Sequence, residues 1–243
     1  MRFGKSEKLD KIQFISTVEG LESIEECLPK PAKYFVPEWF KSINPKSSMT
    51  VRACPSFPDY FSQGYIIPMW TDVVLKYQSD DNWGWATANT EFKFEIHGKN
   101  QMLDHVQARF NGVDGQFIFK TSTPWRIVTP PGWSVLQLPL FYHFNKDFSI
   151  FPGVVDTDIF TQTNHQVLYH ANGREIKISR GDPFVLYIPF KRSNKLDYEV
   201  RYQTEEDIKL FKKEALKFDG EFRAPSGNGV YRREQRKRDK GLS

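Results

Sequence analysis

Cysteine is nearly missing: Cys27 and Cys54 are the only two in 243 residues. Two lone thiols cannot frame a disulfide-stapled fold, and alone they cannot complete a four-ligand zinc site. Buried thiols in a reducing compartment fit the pattern, so a cytoplasmic setting is expected. Long apolar runs are missing too. No stretch approaches the roughly 18 residues of a membrane span, so no membrane partner is expected. Met1-Arg2-Phe3-Gly4-Lys5 leads into no apolar segment, so no signal peptide is expected either. Hydrophobic residues make up only 39% of the chain, against about 45–50% in an average domain, a range that also counts glycine. No glycine-rich phosphate loop, Ser-His-Asp spacing or Cys-His pairing stands out, which sets aside the commonest nucleotide-loop and nucleophile classes.

Charge of one sign is missing from the body of the chain. The net charge is +4, and all of it lies between Tyr231 and Lys240. There Arg232, Arg233, Arg236, Lys237, Arg238 and Lys240 face only Glu234 and Asp239. Such an end is suited to a nucleic acid or an acidic protein surface. The plain alternative is a solvated, disordered tail.

Aromatic residues, by contrast, are plentiful: 21 Phe, 10 Tyr and 6 Trp reach 15% of the chain. With many prolines and few helical patterns, they predict a mainly β protein, in which rings pack on a pleated face. Glu91-Phe92-Lys93-Phe94-Glu95-Ile96-His97 alternates as a half-exposed strand should. Further strands are expected over 11–16, 66–77, 117–120, 125–128, 134–138, 166–169, 175–178 and 184–190. Asn111-Gly112, Asp114-Gly115, Pro130-Pro131-Gly132, Pro152-Gly153 and Asn172-Gly173 supply the turns between them. A single β-barrel or sandwich follows from this spacing. Short helices are expected over 20–28, 36–43 and 56–64. One longer C-terminal helix is expected from Thr204 to Gly220. Ile208, Phe211, Ala215 and Phe218 share its face, and acids fill its first turn. The predicted layout is an N-terminal decoration over 1–64, a β core over 65–192, a helix packed on it over 193–220, and a basic tail over 221–243.

Two acids one residue apart follow a Gly-Val-Val run in Gly153-Val154-Val155-Asp156-Thr157-Asp158. Ile178-Ser179-Arg180-Gly181-Asp182-Pro183-Phe184 follows, leading into an apolar run that ends at Phe190. Together these resemble the third motif of the dUTPase and dCTP-deaminase superfamily and the strands that close its β-clip barrel. The resemblance implies a role for Asp156 in orienting water and contacting a sugar. Ile159 stands where the family's sugar-stacking tyrosine would be, with Phe160 beside it. Tyr187 stands where a glutamine is usual. Thr129-Pro130-Pro131-Gly132-Trp133 looks like the turn before the family's phosphate motif. That motif carries a serine, but here the chain reads Leu138-Pro139-Leu140-Phe141-Tyr142-His143-Phe144-Asn145-Lys146. Without a serine or a nest of amides to clamp charge, no triphosphate cleavage is expected. Arg223 to Tyr231 is similar to the family's glycine-rich closing arm. Cys54-Pro55, Gly64-Tyr65, Trp70-Thr71-Asp72 and the acid motif also resemble small proteins of tailed bacteriophages.

Candidate sites follow. Asp156 and Asp158, on one strand, would face one side and would hold a hard cation or poise a base. The bland reading is a capped turn with one exposed acid. Trp83 and Trp85, in an expected exposed loop, would stack on a ligand or partner, or pack a hairpin tip on the body. Phe160 joins them as a binding candidate, with Arg232, Arg233, Arg236, Lys237 and Arg238. His143, Asp147, His165 and His170 are expected in loops without a metal, since His165 and His170 would point opposite ways from one strand. The favoured function is a non-enzymatic phage-type interaction or assembly module without a cofactor, in host cytoplasm or virion. Other protein subunits are its expected partners. The resemblance implies a homo-oligomer, a trimer as is common in that family. The alternative is a nucleotide-binding or nucleotide-hydrolysing enzyme that uses Asp156, Asp158 and Mg2+.

Overall fold

A computed structural model describes residues 11–47, 49–79, 81–105, 109–110, 113–114, 116–171, 173–193, 196–218 and 229–239. Its strands are β1 Gln13–Ser16, β2 Lys30–Pro31, β3 Tyr65–Pro68, β4 Val73–Ser79, β5 Asn82–Ala86, β6 Phe94–His97, β7 Arg109–Phe110 and β8 Val113–Asp114. They continue with β9 Phe117–Val128, β10 Trp133–Leu138, β11 Phe148–Ile150, β12 Gly153–Val155, β13 Gln162–Tyr169, β14 Ile176–Ile178 and β15 Pro183–Lys191. The α-helices are α1 Glu38–Ser42, α2 Ser56–Tyr60, α3 Glu205–Phe218 and α4 Val230–Asp239. The protein is mainly β, as its aromatic content and alternation predict. It divides into two compact units, one of Met1–Pro31 with Gly64–Asn194 and one of Ala32–Gln63 with Lys195–Ser243.

The first unit holds the sheets. One runs β1-β9-β13-β11, with β6 also paired to β9; a second runs β12-β10-β15-β3-β2; a third runs β14-β4-β5. Every pairing is antiparallel. Among the described residues the sheets stay open rather than closing into a barrel, so the architecture is the sandwich form of the expectation. Ile67 of β3, Leu75 of β4, Phe119 of β9, Val135 of β10, Val167 of β13 and Val185 of β15 meet in one shared core. The segments expected separately over 117–120 and 125–128 are one strand, β9. Its interior is rich in β-branched and aromatic residues, which keep it extended.

Glycine at position 64 is required by geometry. It sits at φ +66, and a Cβ there would lie 2.1 Å from the Tyr187 carbonyl oxygen. Only glycine permits that approach of the chain entering β3 to β15. The helix expected over 20–28 is instead two 3-10 turns, Leu21–Ser23 and Glu25–Cys27, too short for a full hydrogen-bonded α-turn series.

In the second unit, α1 and α2 share an aromatic cluster in which Phe40 lies 4.8 Å from Phe61 and 6.3 Å from Phe57. Arg52 closes the end of α1 by donating to the carbonyls of Phe40, Lys41 and Ile43 at 3.2, 2.7 and 2.8 Å. Those are carbonyls that a helix terminus leaves without partners. At the start of α3, Thr204 Oγ1 accepts the Asp207 amide at 3.2 Å while Asp207 Oδ2 accepts the Thr204 amide at 2.7 Å. This reciprocal cap is what the Thr-Glu-Glu-Asp sequence predicts. Within the second unit no residue of α3 is fully buried, and Ile208 and Phe218 of its apolar face are half-buried. One correction concerns this end of the chain. A second C-terminal helix, α4, occupies the stretch expected to be a basic tail. The turns at Asn111-Gly112 and Gly115, residue Asn172, the expected helix stop at Gly220, and the arm over 223–228 lie outside the described residues.

Candidate functional site

Strand β12 ends at Val155, and the chain turns at once. The Ile159 and Phe160 amides both donate to the Asp156 carbonyl, at 3.0 and 2.8 Å. Asp156 and Asp158 therefore sit in a turn, not on one strand face, which corrects the alternation argument. They still converge, because a cation lies between them. Arg192, just past β15, donates from Nη1 to Asp158 Oδ1 at 2.9 Å and from Nη2 to Asp158 Oδ2 at 2.5 Å. The same Nη1 lies 3.3 Å from Asp156 Oδ1 and also donates to Ser134 Oγ and the Trp133 carbonyl, each at 2.9 Å. Ser134 Oγ donates in turn to Asp156 Oδ1 at 2.6 Å. The Gly132 amide, presented by the Pro-Pro-Gly turn, adds a bond to Asp158 Oδ2 at 2.7 Å.

Electrostatics follow from this geometry. The Arg192 guanidinium, and after it the Gly132 amide, hold the Asp158 carboxyl down to about 2. Asp158 in turn raises the Arg192 guanidinium above its ordinary value. A bidentate arginine–carboxylate pair is both strong and geometrically fixed. The Asp158 side chain is only 8% exposed, and that of Asp156 is 49% exposed. Beneath the turn, Thr157 and Thr129 join their hydroxyls at 2.8 Å in a buried contact. The cluster thus staples the β12 turn to the ends of β10 and β15. Its carboxylates already answer a cation, and a hard metal ion would have to displace Arg192. Among the described residues no three of His, Cys, Asp and Glu gather as metal ligands. The donor set does not fit Mg2+.

The remaining candidates separate in space. Ile159 and Phe160, next to the acids, are exposed. Trp83 and Trp85 lie on a strand, β5, rather than in a loop. Trp85 stacks on Phe94 at 5.2 Å and Phe94 on Phe119 at 4.9 Å, while Trp83 lies 6.3 Å from Phe94. The hairpin thus rests on the body through one face of these rings. His165 and His170 are buried, not exposed in loops. His165 Nε2 lies 3.0 Å from Tyr187 Oη, which donates to Gln137 Oε1 at 2.8 Å. His170 Nε2 lies 3.0 Å from Ser149 Oγ, and Asp147 pairs with Arg174 at 2.5 Å. The histidine–carboxylate set is dispersed among separate contacts.

Of the basic residues, Arg232 is committed. It pairs with Asp59 and donates to the Pro55 carbonyl at 2.9 Å. Arg233, Arg236, Lys237 and Arg238 lie on α4 and are exposed.

Two features are not evident from sequence. Arg192 is one; its signal was the need of two close acids for a cation. The other is an open pocket of about 450 Å³ where the resemblance placed a phosphate motif. Phe141, Phe144, Phe148, Phe151 and Phe184 line it, with His143 and Asn145 at hand. Phe144 adopts φ +50 there, a left-handed conformation uncommon for a bulky residue. The aromatic density of 141–151 was its visible signal.

No family model matches the chain, and no curated protein matches it. Solved structures similar to it include the native EIAV dUTPase, at 12% identity and a TM-score of 0.32, covering 58% of this chain and 86% of that one. Two structures of the dUTPase from phage phi11 of S. aureus, one a point mutant, are similar at 10% identity and TM-scores of 0.27 and 0.28. Each covers 48% of this chain and 97% of its own.

Proposed function

We propose that this chain is an interaction or assembly module of the phage type, not a nucleotide hydrolase. One observation carries the reading: both acids of the motif are engaged by Arg192, with Asp158 bonded through both oxygens. A catalytic carboxylate must be able to take up a proton or orient water. One clamped by a guanidinium and pulled to about 2 is a poor base. The aromatic pocket over 139–152 supports the same reading, since a triphosphate calls for amides and cations and this lining is largely apolar. Exposed Ile159 and Phe160, with the pocket's phenylalanines, are suited to the apolar side chains of a protein partner.

The half-exposed Asp156 favours the second reading, a nucleotide-binding enzyme, because it alone of the pair meets solvent. Thermal-shift measurements against nucleotides, with and without magnesium, separate the two. A specific ligand at 100 times its Kd stabilises by about 2.7 kcal/mol. No nucleotide is expected to raise the melting temperature. A magnesium-dependent rise with dUTP would favour the enzyme.

A further inference from the structure

Residues 196–202 read Leu196-Asp197-Tyr198-Glu199-Val200-Arg201-Tyr202, apolar and charged in strict alternation. That period puts four large apolar groups on one face of a strand. Yet the segment belongs to no strand or helix and pairs with no sheet of the described chain. Leu196, Tyr198, Val200 and Tyr202 are 94%, 90%, 88% and 86% exposed, the highest values of any large apolar residues described. A single exposed apolar side chain is ordinary; four on one face mark a contact surface. A strand-periodic segment without a ladder is a donor for β-augmentation.

We propose that Leu196–Tyr202 is an exchange strand that adds to the β5 edge of a second copy of this chain. Among the described residues strand β5 is hydrogen-bonded on one side only, to β4, and all five of its residues are exposed. Its open side offers backbone groups that an added strand would pair. Trp83 and Trp85 share one face of β5 and remain 41% and 37% exposed. The apolar face of the incoming segment, laid beside them, would extend the stack on Phe94 and Phe119. The areas agree with a stable contact. Two tyrosines, a leucine and a valine offer roughly 600 Å² per strand, and reciprocal exchange doubles this past the roughly 1,000 Å² that a specific interface needs. Donor and acceptor lie on the same sequence, which is the self-complementarity that a twofold contact between identical chains requires. The proposal extends the assembly reading above, and its readout is molecular mass, separate from the nucleotide screen.

Sedimentation velocity of the full chain at micromolar concentration, beside the Tyr198→Asp/Val200→Asp variant, tests it. The wild type is expected at twice the monomer mass or more, and the variant at the monomer mass with an unchanged circular-dichroism melt. A monomeric wild type overturns the proposal, as does a variant that keeps the wild-type mass. A variant that loses its fold overturns it too, because the segment would then be packed within its own chain. Excess peptide of residues 195–203 should dissociate the wild type, and failure to do so counts against the exchange strand. Trp83→Lys should also yield monomers. A folded Trp83→Lys chain that keeps the wild-type mass overturns the placement on β5.

Discussion

The buried His165 makes the fold sensitive to acid. Tyr187 Oη donates to Gln137 Oε1 at 2.8 Å, so it accepts the proton of His165 Nε2 across 3.0 Å. Gln137 passes its own amide to the Phe151 carbonyl at 2.9 Å. This contact puts a proton on Nε2, and burial favours the neutral imidazole. Burial pushes its pKa down to about 3, from an ordinary 6.5. The sign follows from which state binds the proton first. Between those two values the unfolded chain is protonated and the folded one is not, so acid favours unfolding. The contribution of neutral His165 is complete above about pH 6.5 and is lost as pH falls toward 3. Each pH unit inside that window costs about 1.4 kcal/mol. From about pH 7.5 to about pH 4.5 the loss is roughly 3 kcal/mol, a large part of a typical total of roughly 5–15 kcal/mol. Urea unfolding followed by circular dichroism at stepped pH, on wild type and His165→Gln, measures it. His170, also lowered by burial, acts in the same direction but is present in both proteins. The wild-type stability should fall more steeply than the variant's by about 1.4 kcal/mol per pH unit below about pH 6. Parallel curves would refute the reasoning.

Other expectations concern the cluster, the turn and the basic helix. Arg192→Ala leaves Asp158 nearly buried without its cation, so the melting temperature should fall; an unchanged melt would show that the pair is incidental. Gly64→Ala meets the Tyr187 carbonyl and a left-handed φ, and should cost at least about 2 kcal/mol in chemical unfolding. Truncation after Gly229 removes the Arg232–Asp59 pair, so it should lower the melting temperature as well as abolish any salt-sensitive binding. Arg232 is committed to Asp59, and Lys237 pairs with Glu234 and Arg238 with Asp239. The log–log salt slope on duplex DNA should then be shallower than the roughly −5 of six phosphate contacts, and a flat salt response would rule out electrostatic capture.

The fold class was legible because alternation is a local signal: Phe94 and Ile96 announce a strand by spacing alone, whereas Trp83-Gly84-Trp85 reads as a loop until its pairing with β4 is seen. The cap of α3 was legible for the same reason, since Thr204 and Asp207 bond each other across one turn. The acid pair was visible at Asp156 and Asp158, but its chemistry was not. Arg192 lies 34 residues from Asp158 in sequence, and only the antiparallel pairing of β10 with β12 and β15 brings it there. The burial of His165 was hidden likewise: histidine tolerates loop and core alike, and Tyr187 and Gln137 reach it only through the sheets. The basic tail looked disordered by charge density. Its helix depends on Asp59 and Pro55, which are distant in sequence.

Release of pyrophosphate from dUTP in the presence of magnesium, by wild type and by Asp156→Ala, tests the central claim most directly. With both acids of the motif held by Arg192 and an aromatic pocket in place of a phosphate clamp, neither protein should release pyrophosphate above the uncatalysed background. Release by wild type that Asp156→Ala abolishes would contradict the account and make the chain a nucleotide hydrolase.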